Sequence, residues 1–317
     1  MPSVGVIEIG SNGLRYEVAR IDHGLEEVEY RSAERSNLIG LLDERKGLVS
    51  PRFRTAVVQK IENWLADGRT RKLDKLVVVT TEVGRAVERI DEGYWRRHGL
   101  VVNTLTARSE AQFAYRAAKR IIDAIGSPAI LMDVGNGSMS IALIESSGET
   151  ELFTLAVGAE RLSRIFVNNK EGADPFPDFL KKEFSSVSEA TTRNIAVMGG
   201  LATKTAWHVL RESQNSRYNA RLLSGRSVVR TDLQRGYSEL RDIVAKRGEE
   251  FAQDFVDAQE KEPWKLVHLM TGLRFFDAFL GFVSAQRMSV CTDSVRHGVI
   301  SFLGESDGIG EDLSAVW

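Results

Sequence analysis

Glu8-Ile9-Gly10-Ser11-Asn12-Gly13-Leu14-Arg15 and, 125 residues further on, Asp133-Val134-Gly135-Asn136-Gly137-Ser138 repeat one local pattern. Each is an apolar run with a carboxylate near its end, followed by a turn of glycines and short polar side chains. Working outward, residues 4–9, 14–21 and 25–30 read as three short strands joined by tight turns, the second of them Asp22-His23-Gly24. Residues 129–133, 139–145 and 150–155 repeat that order after the second glycine turn. Between the copies, Ser50-Pro51 opens a helical stripe of Val57, Val58, Ile61, Trp64 and Leu65 that Asp67-Gly68 is expected to end. Residues 76–79 and 101–105 read as strands, and residues 109–125 as a helix stopped by Gly126. In the second copy, residues 159–166 read as a helix and 195–198 as a strand running into Gly199-Gly200. Beyond Thr231 the chain reads as largely helical, with a late strand over 289–291. The restart predicts an α/β protein of two domains, 1–126 and 127–317.

Composition agrees with that division and excludes several classes. A length of 317 residues suggests about two domains and a core that needs no disulfide or metal staple. Lys and Arg total 42 against 44 Asp and Glu, a formal charge of −2 that rules out a chain-wide polycation. The single cysteine, Cys291, excludes a disulfide framework and reads as a buried apolar residue on a strand. His208, His268 and His297 lack metal-ligand spacing, and His297 reads as structural. Apolar runs are far shorter than a membrane helix needs, and the first residues carry no basic leader pattern. A cytoplasmic protein with no membrane partner is expected.

The glycine turns carry the chemistry. Gly10, Ser11 and Asn12, and then Gly135, Asn136, Gly137 and Ser138, aim backbone N–H groups and small polar side chains at one place, as a phosphate site requires. Gly199-Gly200 leads into a helix N-terminus, which also favours anions. Two turns in corresponding places predict a cleft between the halves with phosphate loops on both walls. Glu8 and Asp133 flank the loops as a pair of carboxylates of the kind a hard cation uses. Taken singly, each turn reads first as a hairpin, and Glu8 and Asp133 as turn caps.

These residues give the chain a resemblance to the exopolyphosphatase and guanosine pentaphosphate phosphohydrolase (Ppx/GppA) family. The first motif, D-hydrophobic-G-S-N-S-x-R, is met by Glu8 to Arg15, and D-hydrophobic-G-G-G-S by Asp133 to Ser138. Ser109-Glu110-Ala111-Gln112-Phe113 resembles the E-E-A-R-hydrophobic helix start, and Gly158-Ala159-Glu160-Arg161-Leu162 the G-A-x-R-L segment. Gly199-Gly200-Leu201-Ala202 resembles G-G-T-A, and Ser294-Val295-Arg296-His297-Gly298 resembles G-L-R-E-G. The resemblance implies two duplicated RNase H-like domains of the actin-like ATPase superfamily with an active cleft between them. It implies hydrolysis of terminal phosphoanhydride bonds in inorganic polyphosphate or pppGpp, supported by Mg²⁺ or Mn²⁺. Glu110 would be the water-activating base, Glu8 and Asp133 the metal ligands, and Gly10, Ser11, Asn12, Arg15, Gly135, Asn136, Gly137, Ser138, Gly199 and Gly200 the phosphate binders. Without the resemblance, Glu110 reads as either a base or a first-turn acid favoured by the helix dipole.

The sequence departs from the family pattern in five places. Glu8 stands for Asp, Asn136 for glycine, Ser109 for the first glutamate, Ser140 for an acidic residue, and the arginine of Glu82-Val83-Gly84-Arg85 is displaced by one position. They motivate an alternative, a nucleotide- or polyphosphate-binding sensor of the same fold with impaired turnover. A kinase of this fold lacks an acceptor-sugar signature here. Between residues 211 and 241, seven arginines (211, 217, 221, 226, 230, 235, 241) outnumber the acids Glu212, Asp232 and Glu239. They read as a solvated helical face or as a track for a polyanion. Tyr218 and Tyr237 are too sparse for a single-stranded nucleic-acid groove. Phe275, Phe276, Phe279 and Phe282 fall at helical spacing and read as core or as a homodimer surface.

Overall fold

Both glycine turns join antiparallel strands in the computed structural model, which describes residues 2–22, 25–36, 38–43, 47–169, 174–188, 194–210, 219–251, 253–254, 266–305 and 313. In the first sheet β1 (Ser3–Gly10), β2 (Gly13–Asp22) and β3 (Leu25–Arg35) form an antiparallel meander. A small hairpin, β4 (Leu42–Asp43) with β5 (Leu48–Val49), precedes α1 (Pro51–Arg71). Then β6 (Lys75–Thr80) joins β1 in parallel, followed by α2 (Glu82–Ile90), α3 (Tyr94–Arg97), β7 (Asn103–Thr104) and α4 (Ala107–Ile125). The sheet order is β3-β2-β1-β6-β7.

The second sheet repeats this plan. β8 (Ala129–Val134), β9 (Met139–Ile144) and β10 (Thr150–Leu155) form the meander. After α5 (Ala159–Asn168), α6 (Phe176–Glu183) and α7 (Ser185–Ser188), β11 (Asn194–Met198) pairs parallel with β8. Next come α8 (Gly200–Leu210), β12 (Ser227–Val229), α9 (Arg230–Arg247), α10 (Leu266–Phe282) and β13 (Arg287–Val290); the last helix is α11 (Val295–Glu305). The order is β10-β9-β8-β11-β13-β12, so the duplicated unit expected from the sequence is present, with one strand added at an edge.

Alternation along the strands sorts the first sheet into two faces. Ile7, Ile9, Leu14, Tyr16 and Val18 share a core with Phe53, Val57, Ile61 and Trp64 of α1. The opposite face of β1 and β2 carries Glu8, Arg15 and Glu17, and α11 packs there. In the second unit Phe275, Phe276 and Phe279 of α10 are fully buried in the core, which settles them as packing residues.

The structure adjusts several expectations. α1 runs through Gly68 to Arg71 and stops only where Lys72 adopts φ 56°, its N–H closing onto Arg69 and Gly68 carbonyls. The strand expected over 101–105 is two residues long, because only Asn103 and Thr104 pair with β6. Cys291 lies one residue beyond β13, fully buried, with its N–H donating to the Val197 carbonyl at 2.8 Å. The compact units are Met1–Ala117 with Ser294–Trp317, and Ala118–Asp293, which differs from a single break at 126/127. The physical reason is α11: Gly298 sits so close to α4 that a Cβ would lie 1.9 Å from the Phe113 carbonyl oxygen, and Gly304 abuts Ile21. The chain therefore returns to its first unit. No helix among the described residues is long and apolar enough to cross a membrane.

Candidate functional site

Gly10 pairs with Gly13 across a two-residue turn of Ser11 and Asn12, and Gly13 adopts φ 131°, a conformation that favours glycine. The turn is pinned by its carbonyls, Ser11 accepting from the Leu38 N–H at 2.9 Å and Asn12 from Ser36 at 3.2 Å. Ser11 is buried and Asn12 exposed.

Below this turn lies a buried ion network. Glu8 and Arg15 are cross-strand partners, as are Glu17 and Arg31. Glu17, 1% exposed, accepts at Oε2 from Arg296 Nε at 2.9 Å and at Oε1 from Arg31 Nη2 at 3.1 Å, and Arg31 Nε lies 2.9 Å from Oε2. His297 Nδ1 accepts the Ser294 N–H at 2.9 Å, and its Nε2 lies 3.2 Å from both Glu17 Oε1 and Arg31 Nη2. Arg296 bridges to Glu8, its Nη1 lying 3.0 Å from Oε2, while Arg15 Nη1 reaches the same oxygen at 3.4 Å. Burial alone would raise both carboxyls. For Glu8 the charges of Arg15 and Arg296 reverse that, and for Glu17 hydrogen bonding to His297 and the charge of Arg296 do so, leaving both below the usual carboxylate range. Arg15 keeps 49% of its side chain exposed, a cation presented beside the first turn.

Glu110 opens α4 within the same unit. Thr106 caps the helix, its Oγ1 accepting the Ser109 N–H at 3.0 Å and its carbonyl the Glu110 N–H at 2.9 Å. Only 6% of Glu110 is exposed, and Arg85 Nη2 donates to its Oε2 at 2.8 Å.

In the second unit the carbonyls of Gly135 and Asn136 accept from Ala159 and Glu160 at 2.9 and 3.2 Å, seating the turn on the start of α5. A Cβ at Gly158 would lie 2.2 Å from the Asn136 carbonyl oxygen, so only glycine lets the turn approach α5 this closely. Gly199, at φ 89°, lies against the end of β8, where a Cβ would meet Val134 O at 2.4 Å and Asp133 Oδ1 at 2.7 Å. Asp133 and the two glycine segments are thus brought together. Burial, with the charge of Asp293, pushes the Cys291 thiol up to about 12, so it is an inert packing group.

A divalent cation does not fit Glu8. Two carboxylates face three guanidiniums in that network, and Glu8 Oε2 is taken by two of them. Ser140 adds no charge in the second unit; it is buried, 3.2 Å from the Thr154 hydroxyl. Among the described residues no three His, Cys, Asp or Glu side chains converge as a metal cage, and Asp133 is the carboxylate left for the role. Of the arginine stretch, Arg230, Arg235 and Arg241 pair with Asp277, Asp232 and Asp242; Arg211, Glu212, Arg217 and Tyr218 lie outside the described residues. Three pairs of this kind weaken a polyanion track there.

The Ppx/GppA phosphatase family model matches residues 44–304. The chain belongs to that family. Among solved structures, a family member from Aquifex aeolicus shares 21% identity over 97% of this chain and 99% of its own, with a TM-score of 0.78. The type II variant of the Aquifex aeolicus Ppx/GppA phosphatase shares 20% over 95% and 99%, with a TM-score of 0.73. An exopolyphosphatase from Cytophaga hutchinsonii shares 14% over 96% and 98%, with a TM-score of 0.70. No curated protein matches in sequence. At these identities the structural likeness establishes the fold, two duplicated actin-like units. Sequence reading of the family motifs passed over Glu17, Arg31 and the bond from Arg85 to Glu110. Alternation along β2 was the available signal for Glu17, since it shares a face with Arg15.

Proposed function

We propose that this Ppx/GppA family member hydrolyses terminal phosphoanhydride bonds of inorganic polyphosphate or pppGpp, with Glu110 as general base. The observation that carries the reading is Glu110 itself, a buried carboxylate at a helix start, oriented by an arginine and lying inside the matched segment. Water gives its proton to the Glu110 carboxylate as its oxygen bonds to the terminal phosphorus. The bond from that phosphorus to the bridging oxygen breaks, and its electron pair leaves with the shortened chain. The turns at Gly10–Asn12 and Gly135–Ser138 are assigned the phosphate oxygens, with Arg15 as a fixed cation and the start of α8 at Gly199-Gly200 as a further anion contact. Glu8 is committed to Arg15 and Arg296, so Mg²⁺ or Mn²⁺ is not assigned to it.

The test is phosphate release from polyphosphate of defined length and from pppGpp, each with Mg²⁺ and with Mn²⁺. Glu110→Gln is expected to slow release by about 10²-fold or more. Release unaffected by that substitution would remove Glu110 from its role. The buried Ser140 hydroxyl, standing where the family carries an acid, supports the second reading, a binding-only sensor. Calorimetric binding of either ligand without release would select it.

A further inference from the structure

Arg85 is the displaced arginine of the family comparison, and its surroundings give the displacement a purpose. Gly84 rests on the end of β6, where a Cβ would come within 2.0 Å of Thr80 Cγ2. Thr80 Oγ1 in turn donates to the Ile9 carbonyl at 2.9 Å, which ties β6 to the strand that leads into the first turn. The first turn of α2 is thereby drawn down onto the sheet, and Arg85 reaches across to the start of α4.

All three guanidinium nitrogens are engaged there. Nε donates to Glu82 Oε2 at 3.0 Å, Nη1 to the Leu105 carbonyl at 2.8 Å, and Nη2 to Glu110 Oε2 at 2.8 Å. Leu105 immediately precedes Thr106, so Arg85 grips both the entry to α4 and the carboxylate one turn inside it. Arg89 holds the other oxygen of Glu82 at 3.2 Å. The side chain of Arg85 is 19% exposed and that of Glu110 8%. Arg85, Glu82 and Arg89 of α2 bring their charges to this side of Glu110, and the Thr106 and Ser109 hydroxyls lie at the cap of its helix. Removing Arg85 takes away the cation hydrogen-bonded to this nearly buried carboxylate. A planar fork with every nitrogen used is also poorly placed to bind a substrate phosphate.

We propose that Arg85 is a positioning residue for Glu110: it sets the direction of the carboxylate, keeps it ionised, and does not contact the substrate. The proposal rests on the reading of Glu110 as the base. Its test uses Arg85→Lys, which keeps the charge but loses the fork, and Arg85→Met, which loses both. The measurements are kcat, KM and the pH profile of phosphate release from polyphosphate, together with a ¹³C titration of the Glu110 side-chain carboxyl, assigned by its loss in Glu110→Gln.

Arg85→Met should lower kcat by about 10²-fold with KM within about threefold of wild type. Both the acidic limb and the carboxyl titration should move up by about 1–3 pH units. Arg85→Lys should return the titration most of the way while kcat stays intermediate. A tenfold rise in KM with kcat and the acidic limb unchanged would overturn the proposal and put Arg85 on the substrate. An unmoved carboxyl titration in Arg85→Met would overturn it as well. Should wild type release phosphate from no substrate, the proposed function fails by itself, while the titration still decides whether Arg85 governs Glu110. Should Arg85→Met fail to fold, Arg85→Lys carries the test: a wild-type kcat in that variant would overturn the need for the fork.

Discussion

Replacing Glu17 with glutamine probes the network that joins α11 to the sheet. Four nitrogen atoms crowd the carboxylate, two at 2.9 Å from Oε2 and two at 3.1 and 3.2 Å from Oε1. Glutamine offers one acceptor and one NH₂, so in either orientation its NH₂ faces donors. Removing one partner of a buried ion pair costs about 3–5 kcal/mol. The Arg31 side chain is 35% exposed and turns to water, so its share falls to the surface range of about 0–1 kcal/mol. Arg296, 13% exposed, cannot turn to water and keeps only Glu8 as its partner among the described residues, so most of the cost falls on it. The lower end, about 3 kcal/mol at pH 7, is expected, a shift of about 1–2 M in the urea midpoint. Peptide-resolved hydrogen exchange should place the loss in β1, β2 and α11. Because the folded carboxyl lies below its unfolded value, its contribution is complete above about pH 4.3 and fades as the pH falls towards the folded value. The gap between wild type and variant should therefore narrow by about 1.4 kcal/mol per pH unit below that point. A gap under about 1 kcal/mol at pH 7, or one of equal size at pH 7 and pH 3, would refute the reasoning.

Two further outcomes follow from close contacts and charge. Gly298→Ala places a Cβ 1.9 Å from the Phe113 carbonyl oxygen, with backbone on both sides, and should cost about 3 kcal/mol or more in thermal or urea unfolding; a variant as stable as wild type would show that α4 and α11 are not this close. Glu8→Gln should leave Mn²⁺ affinity, measured by electron paramagnetic resonance, unchanged while lowering the urea midpoint. A tenfold loss of Mn²⁺ affinity would return Glu8 to the metal.

The fold was legible wherever a local rule applied. Short apolar runs bounded by tight turns marked β1 to β3 and β8 to β10, and Ser50-Pro51 marked the start of α1, where Ser50 accepts the Phe53 N–H at 3.2 Å. What was hidden depends on contacts remote in sequence. Arg85 and Glu110 are 25 residues apart, and nothing in either segment names the other. Glu17 and Arg296 are separated by 279 residues, and in the G-L-R-E-G-like turn the sequence marks out His297 as structural and gives Arg296 no role. Glu8 and Asp133 look equivalent as text. Only the neighbours on their own sheets distinguish them, since guanidiniums crowd the first and Gly199 abuts the second. The end of α1 was misjudged because a glycine inside a helix costs only about 1 kcal/mol, which the buried stripe around it outweighs.

The return of residues 294–305 to the first unit also sets a timetable for synthesis. A ribosome adding about 5–20 residues per second exposes Glu17 roughly fifteen seconds to a minute before Arg296 is made. Residues 118–293 hold all the strands of the second sheet and are complete before α11 emerges. The later half of the chain is thus free to fold first. Until the last helix emerges, the first-made strands hold Glu8 and Glu17 with only Arg15 and Arg31 as partners, on a face that α11 has yet to cover.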